Sequence, residues 1–81
     1  MMRPELRNTV IDEVMKRVRA GMAAPPDDGA ELASLGIDSM DIITILTNLE
    51  KRAGLDFDRI VGLTPPKTLE DLLTMVEGAC A

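Results

Sequence analysis

The 81-residue sequence has no histidine, tryptophan or tyrosine, and only one cysteine and one phenylalanine. Without imidazole, the usual ligands for zinc, copper or iron are missing, and so is the commonest base for activating a serine, threonine or cysteine nucleophile. Cys80 has no partner for an internal disulfide and no basic neighbour to favour its thiolate, so it reads as an inert thiol. No window approaches the roughly 18 apolar residues of a membrane-spanning helix. The opening Met1-Met2-Arg3-Pro4-Glu5 is not followed by the apolar stretch of a secretory signal. These absences argue against a metalloenzyme and exclude a histidine-activated Ser, Thr or Cys nucleophile within the chain, and they lead us to expect a soluble, cytoplasmic protein.

Ile, Leu, Val, Met and Phe supply 28 residues, about a third of the chain, well above the roughly one-fifth below which disorder prevails. The length allows one domain, residues 1–81, near the lower limit for a core held without disulfides or metal. Fourteen acids against nine bases give a net charge of −5, the wrong sign for a nucleic-acid backbone and suited to basic partners. The charge is uneven. Residues 1–20 hold five bases and three acids (+2), and residues 21–81 hold four bases and eleven acids (−7).

Apolar residues recur at helical spacing rather than in alternation, so the sequence predicts an all-α fold. A first stripe runs Leu6, Val10, Ile11, Val14, Met15, Val18, after Pro4 at a position where a first turn tolerates it, and Gly21 ends it. Asp12 with Lys16 and Glu13 with Arg17 stand four apart in the favourable acid-first order. Residues 21–31 are rich in breakers and read as a loop, with Asp27-Asp28-Gly29 as a turn, and Leu32, Leu35 and Ile37 anchor the continuation of that loop to the core. A second stripe, Ile42, Ile45, Leu46, Leu49, Ala53, starts after Asp38 as N-cap and stops at Gly54, with Leu55 folding back toward Leu49. A short helical turn is expected at Asp58–Val61, between Phe57 and Leu63 as anchors. The last stripe, Leu69, Leu72, Leu73, Val76, is opened by Thr68, with Asp71 three residues on. Three longer helices and one short one are expected.

The chemistry-bearing stretch is Leu35-Gly36-Ile37-Asp38-Ser39-Met40-Asp41. It sets one of only two serines in the first turn of a helix, where free N–H groups and the positive end of the helix dipole favour an anion such as a phosphate. Capping alone also accounts for an Asp-Ser pair before an apolar run. Met40, Ile43, Thr44 and Thr47 form a face that diverges from the core stripe. An apolar patch next to Ser39, ringed by Asp38, Asp41 and Glu50, is how a transient docking site is built. Asp56 and Asp58 hint at a calcium loop, but Ile60, Val61 and Lys67 stand where its other determinants belong.

Leu-Gly-Ile-Asp-Ser-Met followed by an amphipathic helix resembles the phosphopantetheine attachment motif of acyl carrier proteins. The resemblance extends to the helix spacing, the long first loop and the Thr68-Leu69-Glu70-Asp71-Leu72 opening of the last helix, nearly the whole chain. Ile37-Asp38-Ser39-Met40 is closer to the acyl-carrier branch than to peptide-synthetase carriers. It implies a four-helix bundle whose Ser39 hydroxyl carries 4′-phosphopantetheine, taken from coenzyme A by a phosphopantetheinyl transferase, with acyl groups held as thioesters on the terminal thiol. It also implies that Asp38 helps position metal and cofactor during loading. Met40, Asp41, Ile43 and Glu50 match positions at which carriers meet acyl-loading and acyl-processing enzymes (ligase, ketosynthase or acyltransferase type).

Carriers of fatty acid synthesis often show an almost continuous acidic face on this helix, whereas Thr44, Thr47 and Lys51 interrupt it here. The departure points to a narrower set of enzymes, as in a polyketide or another specialised pathway. The initial methionine and the lack of flanking linkers fit a free-standing, monomeric carrier. The alternative is an unmodified helical adaptor that binds its partner through Met40 and Ile43.

Overall fold

The computed structural model describes residues 3–18, 26–60 and 62–80. Among them lie three α-helices, α1 (Pro4–Met15), α2 (Ser39–Ala53) and α3 (Leu69–Ala79), with single 3-10 turns at Ala33–Leu35 and Phe57–Arg59 and no strand. The expected all-α class holds. The expected short helix over Asp58–Val61 is a 3-10 turn shifted toward Phe57, and Val61 lies outside the described residues.

Proline at the first position opens α1, as its sequence predicts. The helix ends at Met15, short of the expected Gly21. There the ladder tightens, with the Arg17 N–H donating to Val14 C=O at 2.9 Å, and Val18 packs back on the core. Gly21 and Arg19 lie outside the described residues. α2 closes on Gly54 in the left-handed region (φ 71°), and the Leu55 N–H returns to Leu49 C=O at 3.4 Å. At α3 the Thr68 hydroxyl accepts from the Asp71 N–H at 3.1 Å, and Asp71 Oδ2 accepts from the Thr68 N–H at 3.2 Å, a complete capping box.

The three inward stripes meet in one core. Val10 and Val14 of α1, Ile45 and Leu49 of α2, and Leu69, Leu72 and Val76 of α3 are sealed from solvent. Leu32, Leu35 and Ile37 insert from the connecting segment as expected. That segment is stitched to the entry of α3: Leu32 N–H donates to Lys67 C=O (2.9 Å), Leu69 N–H to Ala30 C=O (3.0 Å) and Glu70 N–H to Asp28 C=O (2.7 Å). Arg7 of α1 ties down the same turn through an ion pair with Asp28. Leu63, expected as an anchor, is exposed instead. Ile60 takes that place in the core, because Gly62 (φ 88°) turns the chain before Leu63 is reached.

Candidate functional site

The approach to Ser39 is fixed by residues on either side of one turn. Burial of Leu32 and Leu35 winds residues Ala33–Leu35 into a 3-10 turn, and reversing out of it puts Gly36 at φ 82°, a conformation that costs a residue with a Cβ about 1 kcal/mol or more. Ile37 then buries its side chain and donates its N–H to Leu32 C=O at 3.0 Å. Asp38 comes next in extended backbone and caps α2. Its Oδ1 accepts the Asp41 N–H at 2.8 Å, and Asp41 Oδ2 accepts the Asp38 N–H at 3.1 Å.

This reciprocal clasp makes Ser39 the first helical residue and leaves it exposed. The intrahelical ladder begins at the Ile42 N–H, which donates to Asp38 C=O at 3.1 Å. Ser39 therefore sits at the end of α2 where backbone donors and the dipole favour negative charge.

Two grooves diverge from the serine, and Ser39, Ile42, Pro65 and Pro66 line both. One, of about 210 Å³, runs over Ile43, Leu46, Leu63 and Met75 and is apolar. The other, of about 350 Å³, passes Asp38 toward Glu31 and Lys67 and is more polar. A larger recess of about 530 Å³ lies along Leu63–Lys67 and the outer side of α3 but does not reach Ser39. Size alone does not mark the site, since this recess lacks the exposed serine.

The expected docking residues separate by environment. Met40 and Ile43 are the exposed apolar residues of α2, as their phase predicts. Thr44 and Thr47 turn their hydroxyls onto the helix, donating to Met40 C=O at 3.0 Å and Ile43 C=O at 2.8 Å. Asp38 is exposed and Asp41 half-buried, each engaged in the cap, while Glu50 stands exposed two turns beyond Ile43. Sequence reasoning missed Leu63 as part of this surface. The available signal was its position between Gly62 and Thr64-Pro65-Pro66, a span too broken to carry a core residue on a regular element.

The family model described as phosphopantetheine attachment site matches residues 9–76. The chain belongs to this family. No curated protein and no solved structure matches it significantly. It is a phosphopantetheine carrier and not an enzyme: its prosthetic group is 4′-phosphopantetheine, and carriers of this kind meet modifying and acyl-processing enzymes. The residues present fit such a group. Ser39 is an exposed serine where a helix end favours a phosphate, and two grooves meet at it along which an arm could lie. No helix among the described residues is long and apolar enough to cross a membrane.

Proposed function

We propose that Ser39 is the attachment serine and that the chain is a single acyl carrier domain, its 3-10 turn at Phe57–Arg59 standing as the short member of a four-helix arrangement. Ser39 would be joined through a phosphodiester to 4′-phosphopantetheine, delivered from coenzyme A by a separate transferase. When bound, the group supplies a terminal thiol that holds acyl intermediates as thioesters. The observation that carries the assignment is the exposed Ser39 at the capped start of α2, at the junction of two grooves. Ser34, the other serine, lies within a 3-10 turn and has no such helix behind it.

In this reading Asp38 holds the turn that presents Ser39 and stands beside the phosphate during loading. Met40, Asp41, Ile43 and Glu50 meet the transferase and the acyl-loading and acyl-processing enzymes. The monomeric, cytoplasmic carrier serves a polyketide, fatty acid or other specialised pathway, and the interruption of its acidic face by Thr44, Thr47 and Lys51 favours a restricted set of partners.

The deciding experiment is intact mass spectrometry after incubation with coenzyme A, magnesium and a broad-specificity phosphopantetheinyl transferase. One phosphopantetheine should appear on wild type and none on Ser39→Ala. An unmodified wild type, beside a control carrier that loads, would leave the helical adaptor reading in its place.

A further inference from the structure

Of the two grooves that meet at Ser39, the apolar one has no charged residue among those described along its walls. The polar one holds two acids, Glu31 and Asp38, and a single cation, Lys67. An anion joined to Ser39 would stand beside the carboxylates of Asp38 and Asp41, which cap α2. The free N–H groups at the start of α2 offset part of that repulsion, and Lys67 is the further source of attraction that the grooves offer.

The backbone of Lys67 is held from several directions. Its N–H donates to Asp71 Oδ2 at 3.2 Å, and its C=O accepts the Leu32 N–H at 2.9 Å. Pro65 and Pro66, whose rings fix φ, precede it, and Pro66 is buried. Glu31 and Thr68 form an isolated antiparallel bridge beside it, so the floor of the groove is a pairing between the connecting segment and the entry to α3. From this fixed base the side chain is exposed. Lys67 also borders the wider recess along α3, where Glu70 and Asp71 are the competing destinations for its ammonium. Asp71 is already committed to capping through the Lys67 and Thr68 N–H groups.

Resting on the carrier reading, we infer that Lys67 is a positioning residue for the prosthetic group: its ammonium draws the phosphodiester joined to Ser39 toward the polar groove. The arm then starts along Glu31–Ala33 and Lys67 rather than over Ile43, Leu46 and Leu63. The chemistry of pantetheine agrees, because its amides and hydroxyl cost free energy wherever they lose water without gaining a polar partner. The polar groove supplies such partners, whereas beyond the serine the other supplies apolar side chains. Because the lysine is exposed, its pull biases the arm and is screened by salt.

The test compares amide NMR spectra of the 15N-labelled full chain before and after loading with 4′-phosphopantetheine, at low and at high salt. Each shift is the loaded-minus-unloaded difference within one protein, so effects of a substitution on the unloaded chain cancel. At low salt, loading should shift the amides of Glu31–Ala33, Lys67 and Thr68 as well as those next to Ser39, and should leave Ile60, Leu63 and Met75 nearly unmoved. Lys67→Gln should cut the shifts at Glu31–Ala33 by about half or more, and Lys67→Arg should keep them, since a guanidinium also pairs with phosphate. High salt should reduce the same shifts in wild type, a readout that needs no variant to fold. Loading shifts that fall on Ile60, Leu63 and Met75, or that stay confined to the neighbours of Ser39, overturn the inference. So do shifts at Glu31–Ala33 that neither Lys67→Gln nor salt alters. A wild type whose intact mass does not rise on incubation with coenzyme A and a transferase removes the carrier reading instead, a failure seen before any spectra are compared.

Discussion

Arg52, at the end of α2, lies with its guanidinium 3.6 Å from Oε2 of Glu13, a carboxylate of α1 that is only 2% exposed. The same guanidinium donates to Asp12 at 2.9 Å, and Lys16 stands 3.7 Å from Glu13. Among the described residues Glu13 Oε2 has no hydrogen-bond partner, and the cations facing it are Lys16 and Arg52, both just beyond hydrogen-bond reach. Removing one partner of a buried ion pair leaves an uncompensated charge, which costs more than the pair was worth. With Lys16 still nearby, Arg52→Ala should destabilise the fold by about 1 to 2 kcal/mol. Adding Glu13→Gln to that variant should recover much of the loss. Urea unfolding of the two single variants and the double variant measures the coupling.

Three carboxylates among the described residues contribute to stability against acid. Hydrogen bonds from the Lys67 and Thr68 N–H groups hold the Asp71 carboxyl below the usual carboxylate range, Arg52 and Lys16 do so for Asp12, and Arg7 does so for Asp28. A carboxyl with a depressed folded-state pKa favours the native state fully above its unfolded value, about 3.9, and loses that contribution as pH falls through the folded value. No histidine titrates at higher pH. The melting temperature should therefore be nearly flat from about pH 5 to 8 and should drop below about pH 4. Asp71→Asn should flatten the acid limb, which scanning calorimetry across that range will resolve.

The phase of α2 makes a paired prediction. Ile43 is half in solvent, so Ile43→Glu should keep its helical circular dichroism while slowing transfer by partner enzymes. Ile45, two residues on, is fully buried, and Ile45→Asp places an unpaired carboxylate in the core at a cost of several kcal/mol. Against a total stability of about 5 to 10 kcal/mol for a domain of this size, that variant should be largely unfolded. A normal melt for Ile45→Asp would show that the inner and outer faces of α2 had been exchanged.

The features legible in the sequence are those that near neighbours along the chain decide. Asp38 as N-cap signals α2, Thr68 with Asp71 three residues on signals α3, and Gly54 marks a helix end for a steric reason local to itself. The end of α1 was not legible, because no breaker stops it at Met15. It stops through a tightened last turn and the return of Val18 to the core. Glu13 pairs naturally with Arg17 in the sequence because both fit one helix, yet the cations beside its carboxylate are Lys16 and Arg52, and Arg52 comes from a helix nearly forty residues away. Leu63 was misassigned for a related reason: its hydrophobicity suggests burial, but Ile60 had already filled the core position. The candidate serine was legible because its setting is built from consecutive residues, whereas the apolar surface around it needs two elements brought together.

Gly36 tests whether that local setting depends on backbone conformation. Its φ of 82° closes the Ala33–Leu35 turn, and two residues later Asp38 begins the cap that presents Ser39. Alanine resists this left-handed conformation by about 1 kcal/mol, whereas asparagine visits it more readily because its short amide can bond to nearby backbone. Gly36→Ala should lower the melting temperature by about 4 to 8 °C, the shift that 1 kcal/mol produces in a domain of this length, and Gly36→Asn should lower it less. Both variants keep Ser39 and the whole apolar face. If presentation of the hydroxyl depends on this turn, the phosphopantetheine loading rate should fall in the same order, with wild type fastest and alanine slowest. Equal loading rates in all three proteins would instead show that α2 and its Asp38 cap hold Ser39 in place independently of the glycine turn.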